Sequence, residues 1–123
     1  NGEIDILELR GNEPCDYVTN YAYGPTAGEN QTPDATSRIR SETDLTAGWH
    51  VYELIWTRQE LTFLLDGKVV DVKRGGAIAE LFGKPQRIVL NLAVGGTFFG
   101  HPPADRIQTG TFRADWVRVY VAG

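Results

Sequence analysis

Leu61-Thr62-Phe63-Leu64-Leu65, then Asp66-Gly67, then Lys68-Val69-Val70-Asp71-Val72 leave the middle of the chain little conformational choice. Asp-Gly between two β-forming runs specifies a two-residue hairpin, because a type I′ turn needs positive φ at both central residues. Further β-forming runs cover residues 3–9, 17–23, 37–42, 51–57, 87–94 and 111–121. Turn signals separate them: Gly24-Pro25, Gly75-Gly76, Gly95-Gly96 and His101-Pro102-Pro103. Residues 77–82 alone read as helix, for a turn or two. Residues 33–46 are polar and acidic and read as a loop holding one short strand. Many short strands with Gly/Pro punctuation predict an all-β, antiparallel sandwich.

Composition narrows the function. The 123 residues fit one domain, and 41% apolar content is enough for a core. Twelve Lys plus Arg against sixteen Asp plus Glu leave a net charge of -4. That balance argues against nucleic-acid partners and anionic membranes, both of which call for a basic surface. No apolar run reaches the ~18–20 residues of a membrane helix, and the basic-then-apolar pattern of a leader is not expected here. Cys15 has no intrachain disulfide partner, and with His50 and His101 it makes too few ligands for a His/Cys zinc cage. Asn30-Gln31-Thr32 forms a glycosylation sequon, expected to be a chance occurrence unless a eukaryote secretes the protein.

The chemistry-bearing stretch is Gly2-Glu3-Ile4-Asp5-Ile6-Leu7-Glu8-Leu9. In a regular strand the side-chain period is two, so Glu3 and Asp5 share a face while Glu8 falls among Ile4 and Ile6. An unpaired carboxylate there is costly. A β-bulge at Ile6-Leu7 removes the conflict: Glu8 rejoins Glu3 and Asp5, and Leu9 joins the apolar set. Four regular steps at ~3.3 Å separate the outer glutamate Cα atoms by roughly 13 Å, with the bulge absorbing the fifth step. Two glutamate side chains can span that gap and close to the ~5–5.5 Å between carboxylates of a retaining glycosidase. Asp5 between them can share a proton with Glu3, and Glu8, beside the apolar residues, is placed for the raised pKa of a general acid. A solvated acidic strand face explains the spacing equally well, so spacing alone leaves catalysis and surface charge open.

The motif Gly2–Glu8 resembles the active-site sequence of glycoside hydrolase family 16 in its bulged E-x-D-x-x-E form. The similarity continues through Trp49-His50-Val51-Tyr52-Glu53-Leu54-Ile55-Trp56 and Phe63-Leu64-Leu65-Asp66-Gly67-Lys68. It extends to Leu90-Asn91-Leu92-Ala93-Val94-Gly95-Gly96 and Asp115-Trp116-Val117-Arg118-Val119-Tyr120. The resemblance implies a concanavalin-like β-jelly roll and, from its laminarinase branch, a secreted endo-β-1,3-glucanase. The substrate is then a β-glucan polysaccharide or oligosaccharide with internal β-1,3 or mixed β-1,3/1,4 linkages.

By the same resemblance Glu3 is the nucleophile, Asp5 its assisting acid and Glu8 the acid/base. Asn20, Tyr21, Asn91, Phe98 and Phe99 are expected at the sugar. No cofactor is expected for catalysis, and Asp115 matches a position that binds structural calcium. Two features depart from the laminarinase pattern. Ala22-Tyr23-Gly24 stands where many members have His-Tyr-Gly, and Gly96-Thr97-Phe98-Phe99 replaces Gly-Gly-x-Trp. Residues 1–123 match only the C-terminal portion of the family's single catalytic domain, starting at the catalytic strand. The expectation is therefore a complementing chain, a swapped copy or a missing N-terminal half. A non-catalytic β-glucan-binding protein, a transglycosylase and an agarase-like hydrolase are the alternatives on this fold.

Among the remaining residues, Phe98 and Phe99 serve either as a sugar-stacking rim or as loop anchors. Tyr21 and Tyr23 share one face of their strand, expected toward the cleft or toward solvent. Trp49, Trp56 and Trp116 are expected in the core, and His50 in a structural hydrogen bond. Cys15 is expected to be a small, buried or half-buried residue.

Overall fold

The computed structural model describes residues 2–26, 29, 31–32, 35–99 and 103–121. They form two compact units, 1–87 and 88–123. The first holds six strands and one helical turn: β1 (Gly2–Leu9), β2 (Asp16–Tyr23), β3 (Ser37–Arg40), β4 (Tyr52–Trp56), β5 (Glu60–Leu65), β6 (Lys68–Arg74) and α1 (Ile78–Leu81). Two antiparallel three-stranded sheets result, in the orders β1-β2-β3 and β4-β5-β6. The all-β class and the antiparallel pairing agree with the sequence reading. At the Asp66-Gly67 turn φ is +50° and +76°, the two positive values a type I′ hairpin demands.

The sheets face each other across a core that period-two alternation selects. On β2, Tyr17, Thr19 and Tyr21 point inward while Asp16, Val18 and Asn20 lie on the opposite face. From the other sheet Leu61 and Phe63 meet Tyr21, and Ile78 and Leu81 of α1 close that end. A second cluster joins Tyr17, Ile39 and Leu45 with Leu7, Leu9, Tyr52 and Leu65 around it. The Tyr17 and Tyr52 rings meet edge to face at 5.5 Å between centroids. Burying each of Leu61 and Phe63 contributes about 1.5–3 kcal/mol.

Polar groups also enter this core. The β5–β6 register shifts between Phe63 and Leu64, so that Phe63 pairs with Asp71 and Leu64 with Val69, and Val70 is the extra residue. Asp71 and Lys73 thereby face inward with Phe63 and Leu61. Lys73, only 8% exposed, pairs with Asp71 at 2.7 Å and donates to Ser37 Oγ at 2.8 Å. Thr19 donates its hydroxyl to Asp71 at 2.7 Å. Burial pushes the Asp71 carboxyl up, but hydrogen bonds from Lys73 and Thr19 and the Lys73 charge outweigh it and hold the group below its ordinary range.

Several expectations are corrected. Residues 87–94 and 111–121 carry no strand, and their apolar side chains lie open to solvent, Val119 being 73% exposed. A strand exists only where a neighbouring edge pairs with it, and the β-forming residues of one segment say nothing about that partner. The described part of the second unit contains two 3-10 turns, Thr97–Phe99 and Ala104–Arg106. Trp49 is 66% and Trp116 48% exposed, so neither is a core residue, because each lies outside the ladders. Trp56 does pack on the core, its ring edge to face with Phe82. His50 Nδ1 pairs with Asp66 Oδ2 at 2.8 Å, tying the segment before β4 to the hairpin turn. Cys15 is half-buried. Asn30 of the sequon and the His101-Pro102 turn lie outside the described residues. Among the described residues no helix is long and apolar enough to cross a membrane.

Lys73→Met leaves the inward Asp71 carboxylate without its cation. The expected loss is about 3 kcal/mol, the lower end for breaking a buried ion pair, read by urea denaturation at neutral pH. Because the native Asp71 pKa is depressed, the contribution of this group is present above its unfolded pKa and lost as pH falls through the folded one. The penalty of Lys73→Met therefore shrinks on acidification.

Candidate active site

The register of β1 against β2 decides where the acids point. Glu3 opposes Ala22, Asp5 opposes Asn20 and Glu8 opposes Val18, with a register shift between Asp5 and Glu8. Ile6 and Leu7 thus face the single residue Thr19, which is a β-bulge where the sequence demands one. Ala22, Asn20 and Val18 lie on one face of β2, so the three carboxylates share the face that turns away from the core. Ile4 and Leu9 oppose Tyr21 and Tyr17 and pack inward.

The carboxylates interact electrostatically. The charge of Asp5 raises the Glu3 pKa above its ordinary 4.5, with burial and a hydrogen bond between the two side chains adding to the effect. Glu8 is raised chiefly by burial, then by the charges of Asp5 and Glu3, while Arg10 pulls it down. Glu3 and Glu8 are thus both held toward the protonated form, by different dominant causes. Asp5 accepts a hydrogen bond from Asn20 Nδ2 at 3.0 Å, and Asn20 Oδ1 accepts one from the Thr36 hydroxyl at 3.1 Å. Arg38, two residues on in β3, reaches Asp16 at 3.0 Å and Glu13 at 3.4 Å on the same side of the sheet.

The other sequence-proposed residues divide. Asn20 stands beside Asp5 on the acid face. Tyr21 does not: at 6% exposure it belongs to the core, with its hydroxyl against Gly76. Adjacent residues of a strand point to opposite faces, so Asn20 and Tyr21 cannot both line one site. Any Cβ on Gly76, which also has a φ of +54°, would collide with that hydroxyl. Tyr23 follows Tyr21 on the inner face and carries Lys84, whose Nζ lies 4.5 Å from its ring centroid. Asn91, Phe98 and Asp115 belong to the second unit, Asn91 and Asp115 exposed and Phe98 in a 3-10 turn. The Phe99 side chain lies outside the described residues.

Among the described residues no three His, Cys, Asp or Glu side chains group closely enough to hold a metal. Calcium takes six to eight oxygen ligands. Asp115 offers one carboxylate toward such a set. The sequence reading missed Thr36 and Arg38. Their signal was the alternation of Ser37-Arg38-Ile39-Arg40, which becomes informative only once this short segment is paired with β2.

The glycosyl hydrolases family 16 model matches residues 1–118. Over 132 residues the chain is 31% identical to a glucan endo-1,3-beta-glucosidase of Cryptopygus antarcticus, covering 96% of this chain and 48% of that protein. A glucan endo-1,3-beta-glucosidase of Niallia circulans is 30% identical over 131 residues, 98% of this chain and 19% of its own length. The chain therefore spans less than half the length of these relatives. Among solved structures, the laminarinase from Flavobacterium sp. UMI-01 aligns at 32% identity and a TM-score of 0.47, over 60% of this chain and 30% of that one.

The raised carboxyls make a prediction about stability. A carboxyl whose folded pKa exceeds its unfolded value favours folding below the unfolded pKa and loses that contribution as pH rises through the folded one. Glu8→Gln removes one ionising group from the cluster. The variant should melt higher than the unaltered protein at neutral pH, with the gap closing near about pH 3, where the carboxyls are protonated in both states. Equal melting temperatures at both pH values would contradict the electrostatic reading.

Proposed function

The chain belongs to glycosyl hydrolase family 16, and from that membership and the acid face of β1 we propose that it carries the catalytic strand of a retaining endo-β-glucanase. The observation that carries this reading is the bulge, which sets Glu3, Asp5 and Glu8 on one face with Glu3 and Glu8 both raised. Glu3 attacks the anomeric carbon while Glu8 gives its proton to the departing glycosidic oxygen. The C–O bond to the leaving sugar breaks as the bond to Glu3 forms. Glu8, now a carboxylate, takes a proton from water, whose oxygen displaces Glu3 and restores the starting configuration. A carboxyl held above its ordinary pKa retains the proton this first step consumes.

The substrate proposed is a β-glucan with internal β-1,3 linkages, in keeping with the relatives named glucan endo-1,3-beta-glucosidase. Such a polymer does not cross a membrane, so the reading also places the protein outside the cell. Asn91, Phe98 and Asp115 enter only by resemblance, as candidate sugar contacts for the first two and a candidate structural calcium ligand for the third.

The test is reducing-end release from laminarin, lichenan and agarose, with laminarin expected to be cut fastest. Glu8→Gln should lower turnover on laminarin by about 10²–10⁴-fold, the usual contribution of a positioned acid/base. Glu3→Gln should abolish turnover while leaving glucan binding intact. NMR of the first product formed should show the β-anomer. Unchanged hydrolysis by Glu3→Gln would sink the assignment, and binding of laminarin without turnover by the unaltered protein would make it a glucan-binding protein.

A further inference from the structure

The Asn20 side chain was expected to meet sugar, yet both ends of its amide are already engaged within the protein. Nδ2 donates to Asp5 at 3.0 Å, and Oδ1 accepts from the Thr36 hydroxyl at 3.1 Å. Asp5 and Asn20 are directly opposed in the β1–β2 ladder, and Thr36 immediately precedes β3, which pairs with β2 at Ser37↔Thr19. A hydrogen-bonded chain therefore runs from Thr36, just before β3, through Asn20 of β2 to Asp5 of β1, whose charge acts on Glu3.

An amide is directional. Rotated by half a turn, Asn20 would present oxygen to the Asp5 carboxylate and a donor to Thr36. The Asp5 carboxylate, which only accepts, tells the two orientations apart, and the Thr36 hydroxyl anchors the amide at the end remote from the acids. We propose that Asn20, anchored at its far end by Thr36, is a positioning residue that fixes the Asp5 carboxylate against the nucleophile Glu3. This rests on the functional reading above.

The consequence follows from what acts on Glu3. Among the described residues the charged groups on this face are Glu3, Asp5 and Glu8 of β1, Arg10 and Glu13 after it, Asp16 of β2, and Arg38 and Arg40 of β3. Of these, Asp5 raises Glu3, through its charge and through a hydrogen bond. Both effects fall steeply with distance and angle. Loosening Asp5 returns Glu3 toward its ordinary value and makes it a weaker nucleophile. An Asn20 that instead bound sugar would act on substrate affinity and leave Glu3 untouched, and Thr36 would then matter little.

The experiment measures kcat, KM and the pH profile of kcat/KM on laminarin for the unaltered protein, Asn20→Ala, Thr36→Val and the double variant, with Glu3→Gln as control. Asn20→Ala should lower kcat about tenfold, the scale of a misplaced catalytic constellation, with KM little changed. Its acidic limb, which reports Glu3, should move to lower pH. Thr36→Val should shift both in the same direction by less, and the double variant should be no worse than Asn20→Ala, because Thr36 acts through Asn20.

A rise in KM with the acidic limb in place, a silent Thr36→Val, or additive effects in the double variant would each overturn the proposal. Should Asn20→Ala not fold by circular dichroism, the acidic limb of Thr36→Val, a change at an exposed position, decides alone. Full activity in Glu3→Gln, or none in the unaltered protein, would overturn the functional reading and this proposal with it. An inactive Glu3→Gln beside an unaffected Asn20→Ala would overturn this proposal only.

Discussion

One extra residue in β1 determines the character of this molecule. With Ile6 and Leu7 both opposite Thr19, the strand changes face between Asp5 and Glu8. Before the bulge Ile4 points inward and Asp5 outward; after it Leu9 points inward and Glu8 outward. A regular strand would push Glu8 into the core or Leu9 out of it, and each alternative is unfavourable. The apolar residues of β1 and its carboxylates thus demand the same irregularity. Packing and chemistry are satisfied by one backbone feature.

The bulge has a counterpart across the core. Val70 is the extra residue of β6, and the shift beside it turns Asp71 inward. Thr19, the residue facing the β1 bulge, donates to that same Asp71. Two irregular sites in different sheets are therefore joined by a hydrogen bond, with Lys73 and Ser37 completing the network. Such polar links contribute little net stability beside an apolar core, but they have one satisfying arrangement, and a register slip would leave a buried charge unpaired. Leu61 and Phe63 supply the hydrophobic burial, and the Thr19–Asp71–Lys73 network restricts which register can enclose it.

What could be read from the residues alone was what depends on neighbours in sequence. The Asp66-Gly67 turn needs only its two residues and flanking β-formers. The β1 bulge was legible because Glu8 on an apolar face is an inconsistency visible in eight letters. Tyr21 was misplaced because resemblance put it beside Asn20 at a sugar site, whereas alternation allows one of the two to face outward, and the register with Asp5 chooses Asn20. Trp49 and Trp116 look like core residues by type, but a tryptophan is buried only if its segment is in a ladder. The same distinction undid residues 87–94 and 111–121, whose β-forming composition is real and whose strand partners sequence does not name. Asp71 and Lys73 were hidden for the opposite reason: their inward turn depends on the irregularity at Val70.

The acid face carries a cost that the rest of the domain does not need. Carboxyls raised by burial and by one another disfavour the folded state once they ionise, and a strand selected for stability alone would not collect them. Acids gathered on any strand face raise one another, so the further feature of this face is the constraint on their neighbours. Here Asp5 is held by Asn20, Asn20 is anchored by Thr36, and two of the three acids are raised above their ordinary values. Organised displacement of this kind is what acid–base chemistry requires. The acid–base roles proposed for Glu3 and Glu8 draw on that arrangement.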